Sequence, residues 1–310
     1  MATTRLIPMH KIKNQSIAYT VHKRINYAIN PAKTLGGELV SYRDERGLEY
    51  IWGGDPAYWP GRNPLLFPIV GMLKEGKIRF DGREYAMERH GFARRREFTP
   101  AARGEDWVRL ELRESAETLA LYPYSFRLAV EQRLTDTGFS TAVTVANPGE
   151  GPLPFCLGAH TGFRCPLEAG ERFEDYELVF PERESCPTLL LRDGLLDRPA
   201  ALPCLEDTDT LPLDYRWFDA LDTLIFEGLR SRSVTLRSRK SGRGVRVSFD
   251  GFPMLAFWTM PGKKAPYLCI EPWHGCAAGT AEGPEFTDKA HCIVLAPGES
   301  RTLAYRADTL

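Results

Sequence analysis

Apolar and polar residues alternate with a period of two along most of this chain. The run Trp107-Val-Arg-Leu-Glu-Leu-Arg113 carries an apolar side chain at every second position, and residues 126–131 and 139–145 repeat the pattern. Such alternation predicts half-buried strands, because successive side chains on a strand point to opposite faces. Residues 77–80 and 83–87 flank the pair Asp81-Gly82, which suits a tight two-residue hairpin whose central positions need positive φ. A second hairpin is expected around residues 241–244, between 234–237 and 245–249. Residues 254–258, 267–270 and 292–295 are near-continuous apolar runs, as in strands covered on both faces. Helical signal is thin: two turns are expected over 114–121 and one over 56–59. The 23 prolines and 27 glycines interrupt the chain at the short intervals that many strand-joining turns require. Residues 199–213, polar and rich in proline, read as a surface loop. These features predict an all-β chain, one domain of packed antiparallel sheets over residues 1–310.

Composition narrows the classes of partner. A chain of 310 residues, 43% hydrophobic, can bury a core without disulfides or metals. With a formal net charge of −1 it has no electrostatic footprint for nucleic acid or an anionic membrane, so neither is expected as a partner. A polar small molecule of little charge fits this balance better. The seven cysteines are odd in number and form no Cys-x-x-Cys pair, which predicts a reducing compartment. The N-terminus lacks the apolar core of a signal peptide, and no apolar run approaches the ~20 residues of a membrane helix. A cytoplasmic protein is therefore expected. Neither a dinucleotide fingerprint nor a phosphate-binding loop is present, and no cofactor is expected.

Candidate chemistry concentrates in a few unusual segments. In Tyr267-Leu-Cys-Ile-Glu271-Pro272-Trp273 a carboxylate follows an apolar run and precedes a proline. Placed at the mouth of a buried strand, Glu271 would have a raised pKa and serve as a proton acceptor. Trp273 suits either a ligand ring or the core. His160 stands in a Gly-Ala-His-Thr-Gly-Phe turn and His90 in His-Gly-Phe-Ala-Arg, both beside glycines at expected strand ends. Imidazole exchanges protons near neutrality. Arg62 precedes the proline-braced wedge Asn-Pro-Leu-Leu-Phe-Pro68 and offers rigid donors. Asp219 and Asp222 compete for the role of a hydroxyl acceptor, and spacing alone does not choose between them. Two histidines and a carboxylate (His90, His160 and Glu271) also form a possible metal set, but no short ligand spacing supports one, and no metal is expected.

Taken in order, Arg62-x-Pro64-x-x-Phe67-Pro68-x-x-Gly71, the Asp81-Gly82-x-x-Tyr85 hairpin, His90-Gly-Phe-Ala-Arg94, Gly158-Ala-His160-x-x-Phe163 and Cys269-Ile-Glu271-Pro272-Trp273 resemble the aldose 1-epimerase (mutarotase) family. The closer resemblance is to its branch associated with lactose and tagatose operons. It covers nearly the whole chain from about residue 30, while residues 1–25 match nothing and are expected as an extra strand or a loose lead. The resemblance implies a large galactose mutarotase-like β-sandwich (a supersandwich) with its site on a concave face. It implies Glu271 as base and His160 as acid, with Arg62, His90 and Asp222 binding sugar oxygens. Mutarotation opens a hemiacetal ring by removing the C1 hydroxyl proton and protonating the ring oxygen, which suggests an acid and a base on opposite sides of the ring. The signatures of the main galactose mutarotases are not evident here. A hexose-6-phosphate 1-epimerase, with Arg94, Arg95 or Lys263 meeting phosphate, is the alternative enzyme. A non-catalytic carbohydrate-binding protein on the same scaffold is the alternative of another class.

Overall fold

The computed structural model describes residues 34–310 together with two strands, Tyr19–Lys23 and Ile25–Ile29, that pair antiparallel with each other. Residues 1–18 of the lead, expected as an extra strand or loose segment, lie outside the described residues. The alternating segments form strands: Trp107–Arg113, Arg127–Leu134 and Gly138–Ala146 lie side by side, with Ser300–Thr309 next to them. They belong to a fifteen-stranded sheet that runs from Leu65–Leu66 at one edge to Thr99–Arg103 at the other. Its ladders are antiparallel throughout. Tyr176–Arg192, 17 residues long, joins two halves of this sheet. Its start pairs with Ser233–Ser238, and its Leu189 pairs with Ile225 of Thr223–Glu227. One apolar cluster contains Leu128, Val143 and Leu303 from one half and Leu224, Phe257 and Ile270 from the other. The chain is thus all-β, and its core lies between curved antiparallel layers.

Five segments depart from the sequence reading. Residues 199–213 are no loop, because the strand Leu195–Pro212 runs through most of them and pairs with Tyr176–Arg192. Apart from a bridge at Leu196, this strand has a ladder on one side only, and four register shifts interrupt it, an edge setting that tolerates its prolines. A helix at Tyr215–Leu221 was hidden by the apolar run that follows it. Its signal was Asp214, whose side chain caps the first turn by accepting from Arg216 N. The Tyr267–His274 strand does not stop before Pro272 but carries it opposite Leu255. Glu271 therefore sits inside a ladder rather than at a strand mouth. Over 114–121 the helix is a single turn, Ala116–Leu119, and residues 56–59 form only a turn.

A buried polar knot ties the segment beside His160 to the rest of the fold. Asn63 Oδ1 accepts from the hydroxyls of Thr161 and Tyr305 at 2.8 and 3.0 Å, and these hydroxyls lie 2.9 Å apart. Asn63→Ala is expected to leave both hydroxyls without their acceptor, costing about 1–3 kcal/mol in urea unfolding. Tyr305→Phe removes one donor and leaves the Thr161–Asn63 bond, so its cost should be the smaller of the two.

Candidate active site

The strand Tyr267–His274 pairs on one side with Met254–Trp258 and on the other with two short strands, Leu157–Ala159 and Thr161–Arg164. Gly158 faces Trp273 and Thr161 faces Ile270, so one register runs through the interruption between the short strands. The residue at the interruption is His160, which this register brings level with Glu271. Side chains directly across an antiparallel pair share a face and approach closely. His160 Nε2 lies 3.4 Å from Glu271 Oε1. The flanking glycines make room for this arrangement. A Cβ at Gly158 would stand 2.9 Å from the Trp273 ring, and one at Gly162 would stand 2.9 Å from the ring of Trp59. Trp59 stacks on the His160 imidazole, with centroids 4.8 Å apart and an interplanar angle of 29°. Trp258 meets the same imidazole edge-on at 5.6 Å.

Glu271 is 1% exposed and His160 8%, and both line a cavity of about 370 Å³. Burial raises the Glu271 carboxyl well above the ordinary range, against the favourable influence of the Trp273 indole and with an added push from Asp222. Burial also lowers His160 to about 3, with the charge of Arg94 acting in the same direction. Both shifts favour the uncharged form. The cleft therefore favours a protonated carboxyl beside a neutral imidazole. Seven buried side-chain polar atoms lack a partner among the described residues, and four of them belong to residues that line this cavity: Arg94 Nε, His160 Nδ1, Glu271 Oε2 and Trp273 Nε1. Buried polar atoms are rarely left unpaired, so such a concentration marks a place prepared for a polar ligand. A larger groove, about 760 Å³, lies along Thr99–Arg103, but Arg96 and Glu117 in its wall already pair with each other.

His90 reaches the cavity too, its ring 5.8 Å from that of His160. Its Nδ1 accepts from Gly71 N at 3.1 Å, and its backbone N–H donates to Gly71 O at 2.9 Å. The first of these bonds fixes the tautomer, leaving Nε2–H as a donor. Burial lowers this imidazole well below its usual range as well. Asp222 also lines the cavity, and it accepts from the Thr223 hydroxyl at 2.9 Å. Asp219 instead accepts from Gly262 N at 2.7 Å and holds that loop. His90 and Asp222 have φ of 66° and 63°, a left-handed backbone that non-glycine residues seldom adopt. Arg62 is not brought to the cavity. Its guanidinium packs over Gly54, and only its carbonyl assists, accepting from Gly162 N at 2.7 Å.

The cationic wall comes instead from Arg89 and Arg94, which form no ion pair with a carboxylate within 4 Å among the described residues. Arg94 Nη2 donates to Arg89 O at 2.8 Å, and Arg89 Nη2 lies 2.9 Å from Met72 Sδ. Arg95 pairs with Glu88 and Arg96 with Glu117, and Lys263 is not in the lining. The sequence reading did not single out Trp59 and Trp258 for the site. The Trp-Pro-Gly turn holding Trp59 beside the Arg62 segment was the available signal. It also missed the tip of the hairpin formed by Tyr176–Arg192 and Leu195–Pro212. Asp193 and Gly194, with φ of 52° and 79°, make that tight turn. Leu191 and Gly194 reach the cavity, and Leu196 is anchored by donating to Ala278 O at 2.9 Å and accepting from Thr280 N at 3.0 Å. A Cβ at Gly194 would fall 2.4 Å from Met72 Sδ.

Burial of Glu271 has a measurable consequence for stability. In the unfolded chain the carboxyl ionises around its ordinary value of 4.5, whereas in the folded chain it keeps its proton to higher pH. Between those limits unfolding releases a proton, so this group costs stability as pH rises. The amide introduced by Glu271→Gln cannot ionise. The melting temperature of Glu271→Gln relative to the parent should therefore climb over the range above pH 4.5. A difference that stays constant over this range would contradict the raised carboxyl. At Gly162, Gly162→Ala should displace Trp59 and destabilise the chain by about 1–3 kcal/mol, seen as a tryptophan fluorescence change with a lowered melting temperature.

Comparison with known proteins agrees with this architecture. Residues 31–307 match the family model described as Aldose 1-epimerase. The chain is 40% identical over 294 residues to the plasmid-encoded protein LacX of Lactococcus lactis subsp. lactis, covering 92% of this chain and 98% of that one. A galactose mutarotase related enzyme from Lactobacillus acidophilus superposes with a TM-score of 0.89 at 28% identity, over 95% of this chain and 97% of the other. A galactose mutarotase-like protein from Lactobacillus casei ATCC 334 gives 0.85 at 28% identity, over 94% and 100%. With a sandwich of the galactose mutarotase type and a match spanning nearly all its residues, the chain belongs to the aldose 1-epimerase family.

Proposed function

We propose that this cleft interconverts the α and β anomers of a free hexose, with Glu271 and His160 as the proton-transferring couple. The observation that carries this reading is their proximity. A buried carboxylate oxygen and an imidazole nitrogen stand 3.4 Å apart, in a cavity whose polar atoms await partners. The groups lie side by side, not on opposite sides of a ring, which suits a target whose two reacting oxygens share one carbon. The C1 hydroxyl and the ring oxygen of a pyranose are such a pair.

In the proposed reaction Glu271 takes the C1 hydroxyl proton while His160 protonates the ring oxygen. The C1–O5 bond breaks, and an open-chain aldehyde forms. Rotation about C1–C2 and the reverse proton transfers then close the ring on the other face. The couple carries one transferable proton throughout. Ring opening turns a carboxylate–imidazolium pair into a neutral pair, and burial favours that change. Trp59 counters it by offering an aromatic face to the imidazolium, so neither state becomes a trap. His90, through Nε2–H, and Asp222 serve as hydroxyl partners on the cavity wall. Arg62 is left out of this assignment because its guanidinium lies over Gly54.

A second reading takes a hexose bearing a phosphate. Its support is the pair Arg89 and Arg94 on the cavity wall, whose guanidinium groups suit an anionic substituent. A panel of freshly dissolved free and phosphorylated hexoses, followed by polarimetry or NMR, separates the two. Acceleration restricted to phosphorylated sugars would replace the first reading, and binding without acceleration would make the chain a carbohydrate binder.

In the same assay Glu271→Gln and His160→Asn are each expected to lower the catalysed rate by about 10²–10⁴-fold. Asp222→Ala should raise KM more than it lowers kcat. The pH profile follows from burial. Because His160 is lowered from 6.5 to about 3, kcat/KM should run level through pH 6.5 and fall only at more acid values. An acid limb centred near 6.5 would mean that the imidazole titrates as an exposed one.

A further inference from the structure

We propose that His160, Cys269 and Glu271 together bind a divalent cation of the zinc class, and that the bound ion silences the proton-transferring couple. The silencing rests on the function assigned above, whereas the binding does not. Cys269 and Glu271 lie two residues apart on one strand and therefore share a face, and the pairing register brings His160 level with Glu271. One nitrogen, one sulfur and one oxygen from these side chains all lie within 4.8 Å of one another. The three residues are buried, at 8%, 0% and 1% exposure. His160 Nδ1 and Glu271 Oε2 have no hydrogen-bond partner among the described residues. This set differs from the one weighed in the sequence, because Cys269 takes the place of His90.

The donor types choose the ion. Imidazole, thiolate and a single carboxylate suit zinc, whereas magnesium and calcium need six or more oxygens. Zinc bond lengths place the donor atoms of a tetrahedral site roughly 3.2–3.7 Å apart, so the widest edge closes by about an ångström through side-chain rotation. Binding releases the thiol and carboxyl protons to solvent. The dication then meets one thiolate, one carboxylate and a neutral imidazole, so the site has no net charge. A buried cluster without net charge avoids the penalty that either anion would meet alone. His160 and Glu271 line the cavity, which would supply solvent or ligand to a fourth position. An ion there takes the imidazole lone pair and the carboxylate, and neither can then carry a proton.

Cobalt(II) chloride titrated into the tag-free full chain tests the binding, because a thiolate on tetrahedral cobalt gives near-ultraviolet charge transfer and strong visible bands. One cobalt per chain with both features is expected, and zinc should displace it. Cys269→Ser should lose the charge-transfer band and bind at least ~10-fold more weakly. Cys269→Ala replaces it if a hydroxyl in this apolar surrounding unfolds the protein. Glu271→Gln should keep the band with weaker binding. Zinc at matching occupancy should abolish anomer interconversion. Absence of the bands, their persistence in both Cys269 variants, or full activity of the zinc-loaded protein would each overturn the proposal. A chain that acts on no sugar would remove the proposed function, and the cobalt spectra would still decide the binding.

Discussion

Between the Tyr267–His274 strand and the interrupted segment 157–164, a single antiparallel register keeps His160 level with Glu271. A slip of one residue would send the carboxylate to the opposite face of the sheet and leave the imidazole beside a core side chain. The surrounding chemistry inherits this alignment. The Met254–Trp258 strand is held by the same central strand, so Trp258 arrives at the imidazole edge through its own pairing with Cys269. Trp59 enters only because Gly162 leaves its place unfilled. Even the polar knot of Asn63, Thr161 and Tyr305 grips the residue next to the histidine.

Within that alignment two tendencies oppose each other. Desolvation pushes both Glu271 and His160 toward neutrality, while the proton transfer proposed for them requires each to accept or give charge in turn. Large separations between donor and acceptor would make the charged state inaccessible. At 3.4 Å the opposite charge is close enough to offset much of the burial penalty. Positive-φ backbone at His90 and Asp222 points the same way, since strained residues gather where a wall must present a side chain at a fixed angle.

Much of the sheet was legible from alternation alone, and Trp107–Arg113 and Met254–Trp258 form strands with the expected ends. Glu271 and His160 stood out in the sequence as unusual residues after apolar runs, and the fold sets them side by side. What local patterns could not reveal were relations across the sheet. The strand through residues 199–212 was concealed by prolines that an edge position tolerates, and the helix Tyr215–Leu221 by the apolar strand beyond it. Arg62 looked suited to a ligand in its own segment, yet the loop around Gly54 claims its guanidinium. The choice of Asp222 over Asp219 depends on the loop at Gly262, more than forty residues away. Pro272 implied a strand end, but the ladder passes through it and so buries Glu271 more deeply.

The hairpin ending at Asp193 and Gly194 contributes to the cavity wall from outside the strands that carry the couple. Its outer arm, Leu195–Pro212, is an edge strand tied beyond its ladder at Leu196, whereas its inner arm, Tyr176–Arg192, runs through the middle of the sheet. A segment outside the strands that carry His160 and Glu271 thus shapes part of the same cavity wall. A change at this tip would reshape the cavity wall while the register that aligns His160 with Glu271 stays in place.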